Sequence, residues 1–170
     1  MYAQYQSKSI DDSASVGELS EWIRGRKVLL LAPGKTLVTE YETILDFIER
    51  TDPFIISVNF VDAQFHMDAC FVSNHKRMDG ITRELRSMPH VRAILTSNIT
   101  GGQPNSLYVD YGRYTNDGEE IADNAGLMLL KLLQLCGVEQ VYLAGFDGFH
   151  HKHNYYSEEM HSQVDEDDMQ

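Results

Sequence analysis

The stretch Lys27–Thr36, with the sequence KVLLLAPGKT, decides the fold. Residues 27–32 form an apolar run that starts at a charged residue and stops at Pro33-Gly34. A short run of this kind is typical of a strand buried on both faces, as in a parallel sheet. We therefore predict a buried strand that ends in a tight turn.

Similar apolar runs recur along the chain, with helical patterns between them. Because apolar residues recur at spacings of three and four in the intervening segments, those segments are predicted to be helices. Alternating strands and helices are typical of a parallel, doubly wound sheet. The predicted fold class is α/β, a three-layer Rossmann-like domain with a mostly parallel sheet of about five to six strands. Further strands are predicted over 54–58, 69–72, 91–96, 107–111 and 140–144, and helices over 38–49, 76–88 and 119–136.

The chain divides into three parts by composition. Residues 1–24 are predicted to be a polar N-terminal linker with a short helix over 19–24. Residues 25–156 are predicted to form the Rossmann-like, nucleotide-binding-type domain. Residues 157–170 end in a run of like charges and are expected to be an acidic, disordered tail.

The acidic composition excludes some functions. The 170 residues carry a formal net charge of −12, and a surface of that sign repels nucleic acid and anionic membranes. We expect neither as a partner. With no expected signal peptide and no apolar run long enough to span a bilayer, a cytoplasmic protein is predicted. Cys70 and Cys136 lie inside apolar segments and are predicted to be buried, reduced thiols.

The turn Pro33-Gly34-Lys35-Thr36 is a candidate phosphate-binding site. A strand-to-helix turn leaves backbone N–H groups without partners, and these bind phosphate or carboxylate. Gly34 allows close approach of a ligand, Lys35 adds positive charge, and Thr36 can donate its hydroxyl. The turn lacks the three glycines of the dinucleotide motif and the upstream glycine of a Walker A loop. The alternative is a plain turn with a capped helix.

Polar residues also follow the second and third predicted strands. Asn59 comes directly after a buried strand, where it can bind a base, ribose or phosphate, or cap the loop. Ser73 or Asn74 is a natural N-cap for the next helix, and Lys76 and Arg77 add local positive charge. These residues are assigned to a nucleotide site, with a solvated helix start as the alternative.

The last predicted strand is followed by Gly145 and Asp147, and then by several histidines. Asp147 is the preferred catalytic candidate, since ligands of such sheets bind at the carboxyl ends of strands. His150, His151 and His153 are further candidates as general acid or base. No companion ligand motif accompanies them, so no metal site is predicted.

The segment Ala122–Gly148 resembles bacterial CMP-sialic-acid sialyltransferases, and the related motility accessory factor and hydroxymethylpterin-diphosphokinase-like domains. Those proteins have a helix, a glycine, a strand and then Gly-x-Asp. The segment Leu31–Leu37 is similar to their first turn, Gly-x-Gly-x-Ser-Leu, with Ala32 in place of the first glycine. Val58-Asn59 resembles their residues after the second strand. The resemblance implies a CMP-type nucleotide held by Gly34, Thr36, Asn59, Gly126 and Asp147.

A second resemblance covers four other segments. They are similar to the C-terminal region of bacterial 4-hydroxy-2-oxovalerate aldolase-like proteins, in which a TIM barrel of the HMG-CoA-lyase type comes first. The present chain is too short to contain such a barrel. The resemblance therefore implies a TIM-barrel domain of the same polypeptide as a partner, often in the context of surface-polysaccharide genes. The segments are Tyr5–Ser13, Leu31–Thr36, Ile56–Phe60 and Phe71–Arg77.

Three functions are compatible with these features. The first is a nucleotide- or nucleotide-sugar-binding accessory domain of an aldolase-like lyase of surface-polysaccharide metabolism. The second is a free-standing sialyltransferase-like glycosyltransferase or diphosphotransferase. The third is a non-catalytic docking or dimerisation module, and a homodimer stays open in all three cases. The ligand is a small nucleotide or sugar whose identity the residues do not specify.

Overall fold

A computed structural model of the chain describes residues 9–115 and 124–147. The described residues form six strands and six helices. The strands are β1 (Val28–Leu31), β2 (Phe54–Val58), β3 (Ala69–Val72), β4 (Arg92–Thr96), β5 (Leu107–Val109) and β6 (Val141–Ala144). The helices are α1 (Ser13–Ile23), α2 (Thr36–Thr39), α3 (Tyr41–Thr51), α4 (His75–Leu85), α5 (Tyr111–Tyr114) and α6 (Ala125–Leu135).

All six strands join one parallel sheet in the order β5-β4-β3-β2-β1-β6. The chain therefore adds strands in one direction from β1 to β5 and then returns to place β6 on the other side of β1. In register, Leu30 lies beside Ile56 of β2 and Leu143 of β6. This reversal of strand order between β1 and β6 is the position where ligands bind in open α/β sheets.

Helices cover both faces of the sheet, which confirms the predicted three-layer α/β fold. On one face, α3 and α4 pack with Leu29 and Leu31 of β1. On the other face, α1 and α6 pack with Val28 and Leu30 of the same strand. β1 is buried at all four positions because helices cover both faces, as its continuous apolar run predicts.

The first helix is longer than its apolar pattern predicts. It begins at Ser13 rather than at residue 19, and Leu19 and Ile23 are fully or almost fully buried against the sheet. The early turns of α1 are exposed or half-buried, so they carry no apolar periodicity that a sequence argument can detect. The described part of the N-terminal segment thus packs against the same core as the rest of the domain.

Asp12, at the start of α1, is 2% exposed and connects this helix to the far edge of the sheet. Its carboxylate accepts hydrogen bonds from Arg113 Nη1 (2.6 Å), from the Tyr114 hydroxyl (2.8 Å) and from the Asp110 backbone N–H (3.0 Å). Burial, followed by the hydrogen bond to Asp12, raises the pKa of Tyr114. The tyrosine therefore stays a neutral donor to the buried carboxylate.

The helix predicted over 119–136 is described over Ala125–Leu135, and residues 116–123 lie outside the described residues. Asn124 caps its start by accepting a hydrogen bond from the Leu127 N–H at 3.1 Å. Gly137 follows with φ +78° and ends the helix as predicted, because the left-handed region favours glycine.

None of the described helices is long and apolar enough to cross a membrane. The longest of them have 11 residues, as in α6. At about 1.5 Å per residue such a helix covers roughly half of a bilayer's hydrocarbon thickness.

The Asp12 contacts predict an unequal effect of two aspartate substitutions. Asp12→Ala leaves a buried tyrosine hydroxyl and a backbone N–H without their acceptor, and we expect it to lower the free energy of unfolding by about 1–3 kcal/mol. Asp46→Ala is the control, because Asp46 pairs with Arg50 on the exposed surface of α3 and should cost at most about 0.5 kcal/mol. Urea unfolding of both variants measures the difference, and equal losses would contradict the structural role of Asp12.

The two cysteines are free thiols, with Cys70 buried and Cys136 half-buried. Burial raises the pKa of the Cys70 thiol to about 12. At pH 8 the folded chain therefore holds almost none of its Cys70 as the reactive thiolate.

We expect iodoacetamide at pH 8 to leave Cys70 unmodified in the folded protein and to label it after unfolding in urea. The Cys136→Ser variant isolates this thiol, and mass spectrometry reports the label. Rapid modification of folded Cys136→Ser would contradict the burial of Cys70.

Candidate functional site

The turns after β1 and β6 lie against each other at the carboxyl edge of the sheet. The Ala32 N–H donates to the carbonyl oxygen of Ala144 at 2.9 Å, and the Gly34 N–H donates to the carbonyl oxygen of Gly145 at 2.9 Å. The β1–β6 pairing therefore continues past the last strand residue and into both turns. Two segments more than a hundred residues apart in sequence form one structure here.

Asp147 binds the start of α2 from across this contact. The Thr36 N–H donates to Asp147 Oδ2 at 2.9 Å, and the Thr36 hydroxyl donates to Asp147 Oδ1. The carboxylate thus lies where the sequence predicted that the turn would hold an anion. The turn does bind a negative group, and that group is a side chain of the protein itself.

Two glycines allow the turns to approach so closely. A Cβ atom on Gly34 would lie 2.2 Å from the Gly145 carbonyl oxygen and 2.6 Å from Asp147 Cγ. Gly145 has φ +79°, and a Cβ atom there would lie 1.9 Å from the Ala32 carbonyl oxygen. Both predicted glycines are therefore required by the packing of the turns. Pro33 and Lys35 belong to the same turn, where the Lys35 side chain is exposed.

Asn59 follows β2, the neighbour of β1, and has φ +58°. Its Oδ1 accepts a hydrogen bond from the Ser73 N–H at 3.0 Å, and its own N–H donates to the Phe71 carbonyl oxygen at 2.8 Å. Asn59 therefore joins the carboxyl ends of β2 and β3. Its Nδ2 makes no hydrogen bond to any of the described residues, so that group can donate to a ligand.

Sequence reasoning missed a second polar pair beside Ser73. Asn98 Nδ2 donates to the Ser73 carbonyl oxygen at 3.1 Å, and the Thr96 hydroxyl bonds to Asn98 Oδ1. Thr96 is fully buried and Asn98 is 9% exposed. The signal was available, because Thr96 ends β4 and Asn98 follows it closely, as Asn59 follows β2.

Asn74 caps α4, since its Oδ1 accepts from the Lys76 N–H at 2.9 Å. Lys76 is exposed and Arg77 is half-buried on the first turn of this helix. Both residues lie at the carboxyl edge of the sheet, but beyond β3, two strands away from the Gly34 turn. Strands lie about 4.8 Å apart, so β1 and β3 are separated by roughly 10 Å.

Gly126 lies on the first turn of α6 and faces Phe146. A Cβ atom on Gly126 would lie 2.9 Å from Phe146 Cε1. The glycine therefore makes room for the ring of the residue that precedes Asp147. Its contact in the structure is with that ring, and through it Gly126 helps to position the Asp147 turn.

A groove of about 480 Å³ opens beside the Asp147 turn, between α3 and β6. Thr36 and Asp147 lie at one end, and Ile44, Phe47 and Tyr142 line its apolar part. The rings of Phe47 and Tyr142 pack with centroids 4.7 Å apart. The sequence predicts no role in a site for the α3 residues, because their apolar spacing also fits an ordinary core helix.

The remaining predicted residues are His150, His151 and His153, and they lie outside the described residues. Within 9–115 and 124–147, no three His, Cys, Asp or Glu side chains come together in a way that would hold a metal ion. No family model, curated protein or solved structure matches the chain.

The crossing of the two turns makes a prediction about glycine substitutions. Gly34→Ala forces a methyl group against backbone and against Asp147, so we expect a loss of roughly 1–3 kcal/mol in the free energy of unfolding. Gly80→Ala is the matched control, since a methyl group on that helical glycine would have no atom within 4 Å and should add up to about 1 kcal/mol. Urea unfolding tests the opposite signs. A neutral Gly34→Ala would show that the turns are not closely packed.

Proposed function

We propose that this domain binds a nucleotide or nucleotide sugar of the CMP type at the carboxyl edge of its sheet, as the accessory domain of an aldolase-like lyase of surface-polysaccharide metabolism. The observation that carries the proposal is the Thr36–Asp147 pair at the reversal of strand order between β1 and β6. Ligands of open α/β sheets bind at this kind of position.

Asp147 supplies the acceptors for the sugar part of the ligand. A carboxylate has about four acceptor positions, and Thr36 occupies two of them. The other two accept hydroxyl groups of a ribose or a second sugar. Because Thr36 holds the carboxylate in place, the acceptors are oriented before the ligand arrives, which lowers the entropy cost of binding.

The phosphate part of the ligand lies away from Asp147. Two negative groups at the same Thr36 N–H would repel each other, so the phosphate cannot use the turn while Asp147 occupies it. It lies instead toward Asn59, whose Nδ2 is a donor, and toward the positive charge of Lys76 and Arg77 beyond β3. This arrangement differs from the phosphate held by the Gly34-Lys35-Thr36 backbone that the sequence alone predicts.

The groove between α3 and β6 accommodates the base. Phe47 and Tyr142 offer aromatic surface next to Asp147, and stacking on aromatic rings suits any nucleobase. Base, sugar and phosphate then follow one another along the edge of the sheet. The groove beside β6 then belongs to the same binding site and holds the base.

Calorimetric titration with CMP, CDP, GDP and ATP tests the proposal. Cytidine nucleotides are expected to bind, and Asp147→Asn to weaken them by roughly 10- to 100-fold, since a hydrogen bond to a charged group contributes about 1.5–3 kcal/mol. Asp46→Asn, on the exposed face of α3, is the control and should leave the affinity unchanged.

Other results would favour the alternative functions. Absence of binding at millimolar nucleotide would falsify the proposal and favour the non-catalytic docking module. Release of free CMP from a CMP-sugar, abolished by Asp147→Asn, would favour the glycosyltransferase. Asn59→Gly keeps the left-handed backbone conformation accessible and removes the side-chain amide. If this variant loses more affinity for CDP than for CMP, the phosphates lie beside Asn59.

A further inference from the structure

A series of hydrogen bonds connects the carboxyl ends of three neighbouring strands. It begins at Thr96, the last residue of β4, whose hydroxyl donates to Asn98 Oδ1. Asn98 Nδ2 donates to the Ser73 carbonyl oxygen at 3.1 Å, and the Ser73 N–H donates to Asn59 Oδ1 at 3.0 Å. We call these four residues the asparagine network. The network crosses from the end of β4, past the end of β3, to the end of β2.

The backbone N–H and C=O groups of Ser73 determine how both side-chain amides are oriented. A backbone N–H can only donate, so the Asn59 atom beside it must be the oxygen Oδ1. A backbone carbonyl can only accept, so the Asn98 atom beside it must be the nitrogen Nδ2. Exchanging oxygen and nitrogen in either amide would place two donors or two acceptors face to face. Asn59 Nδ2 is therefore the end of the amide that Ser73 leaves unbound.

Burial differs between the two ends of the asparagine network. Thr96 is fully buried and Asn98 is 9% exposed, so water competes little for their hydrogen bonds. Asn59 is half-buried, and its φ of +58° is one that asparagine adopts more readily than most residues. Among the described residues its Nδ2 has no hydrogen-bond partner. The network therefore leads from the interior of the domain to one donor that a ligand can reach.

We propose that Asn98 is a positioning residue, which holds the Asn59 amide so that Nδ2 donates to a phosphate of the ligand. This inference rests on the proposed nucleotide site, in which the phosphate lies toward Asn59. Asn98 follows β4, which is three strands from β1 in the sheet, or roughly 14 Å at about 4.8 Å per strand. It acts on the ligand only through Ser73 and Asn59. Because the amide is oriented before the ligand arrives, less conformational entropy is lost on binding.

The asparagine network also determines which chemical group this position accepts. The Ser73 N–H holds Asn59 Oδ1, so the amide cannot turn over to present its oxygen without losing that hydrogen bond. The position therefore offers a donor, which suits a phosphate oxygen. Asp147 offers acceptors at the other part of the site. The donor at Asn59 and the acceptors at Asp147 thus distinguish the phosphate end of a ligand from its sugar end.

The orientation of the Asn59 amide can be measured by NMR without a ligand. In isotope-labelled protein, the side-chain NH2 signals of Asn59 are identified by their loss in Asn59→Gly. Asn98→Asp keeps the shape of the side chain but places a carboxylate oxygen against the Ser73 carbonyl oxygen, so we expect it to shift or broaden those signals. Asn105→Asp is the matched control, because it makes the same substitution at an exposed loop residue and should leave them unchanged.

Thr96→Val is a second variant of the asparagine network. It removes the hydroxyl that holds Asn98 Oδ1, keeps the shape of the side chain and adds no charge. We expect it to shift or broaden the Asn59 signals as well. Urea unfolding shows whether each variant is folded, and Thr96→Val carries the test if Asn98→Asp is not.

Calorimetric titration with CDP and cytidine measures the consequence for the ligand. We expect Asn98→Asp to weaken CDP binding by roughly 5- to 20-fold and cytidine binding by less than about 2-fold, since only CDP offers a phosphate to Asn59. In the Asn59→Gly background the same substitution should have no further effect, because Asn98 acts through Asn59. Simple repulsion between the new carboxylate and the phosphate would persist in that background.

Contrary results overturn the proposal at different steps. If the Asn59 signals are unchanged in every folded variant of the asparagine network, Asn98 does not position Asn59, whatever the protein binds. If the signals move but CDP and cytidine lose equal affinity, or if the loss persists in the Asn59→Gly background, Asn98 has no role in holding a phosphate. If the signals move and neither CDP nor cytidine binds, the nucleotide proposal fails and the ligand role of Asn98 fails with it.

Discussion

The close crossing of two glycine turns, one after β1 and one after β6, is the constraint on which this domain depends. The Gly34 and Gly145 backbones approach to hydrogen-bond distance, which no residue with a Cβ atom would permit. The crossing extends the β1–β6 pairing at the position where the strand order reverses. It also brings Asp147 to the start of α2, so the architecture and the candidate site have the same physical origin.

The Asp147 carboxylate determines how this edge of the sheet can act. A strand-to-helix turn with unpaired N–H groups attracts an anion, and here a side chain satisfies that requirement in advance. The site therefore presents acceptors at this turn rather than donors. A sugar hydroxyl suits those acceptors, whereas a phosphate suits the Asn59 Nδ2 donor and the positive charge of Lys76 and Arg77. The electrostatics of one residue thus order the parts of the proposed ligand along the sheet.

The fold could be predicted well because β1 to β4 are buried on both faces. Continuous apolar runs marked β2 and β3 to the residue and the other strands to within two residues. Contacts between distant segments could not be predicted. The residues Thr36 and Asp147 were each chosen from their place after a strand, but nothing local showed that one would bind the other. The polar start of α1 and the buried Asp12 left no periodic signal.

The two edges of the sheet differ in the residues that surround them. After β5 the Asp110 N–H donates to the buried Asp12 carboxylate, and helix α1 packs beside the strand. At β6 the chain places Tyr142 and Leu143, both exposed, with no charged side chain from 140 to 146. Within the described part of the chain, the sheet therefore ends on one side in contacts of acidic side chains and on the other in an apolar strand beside the groove.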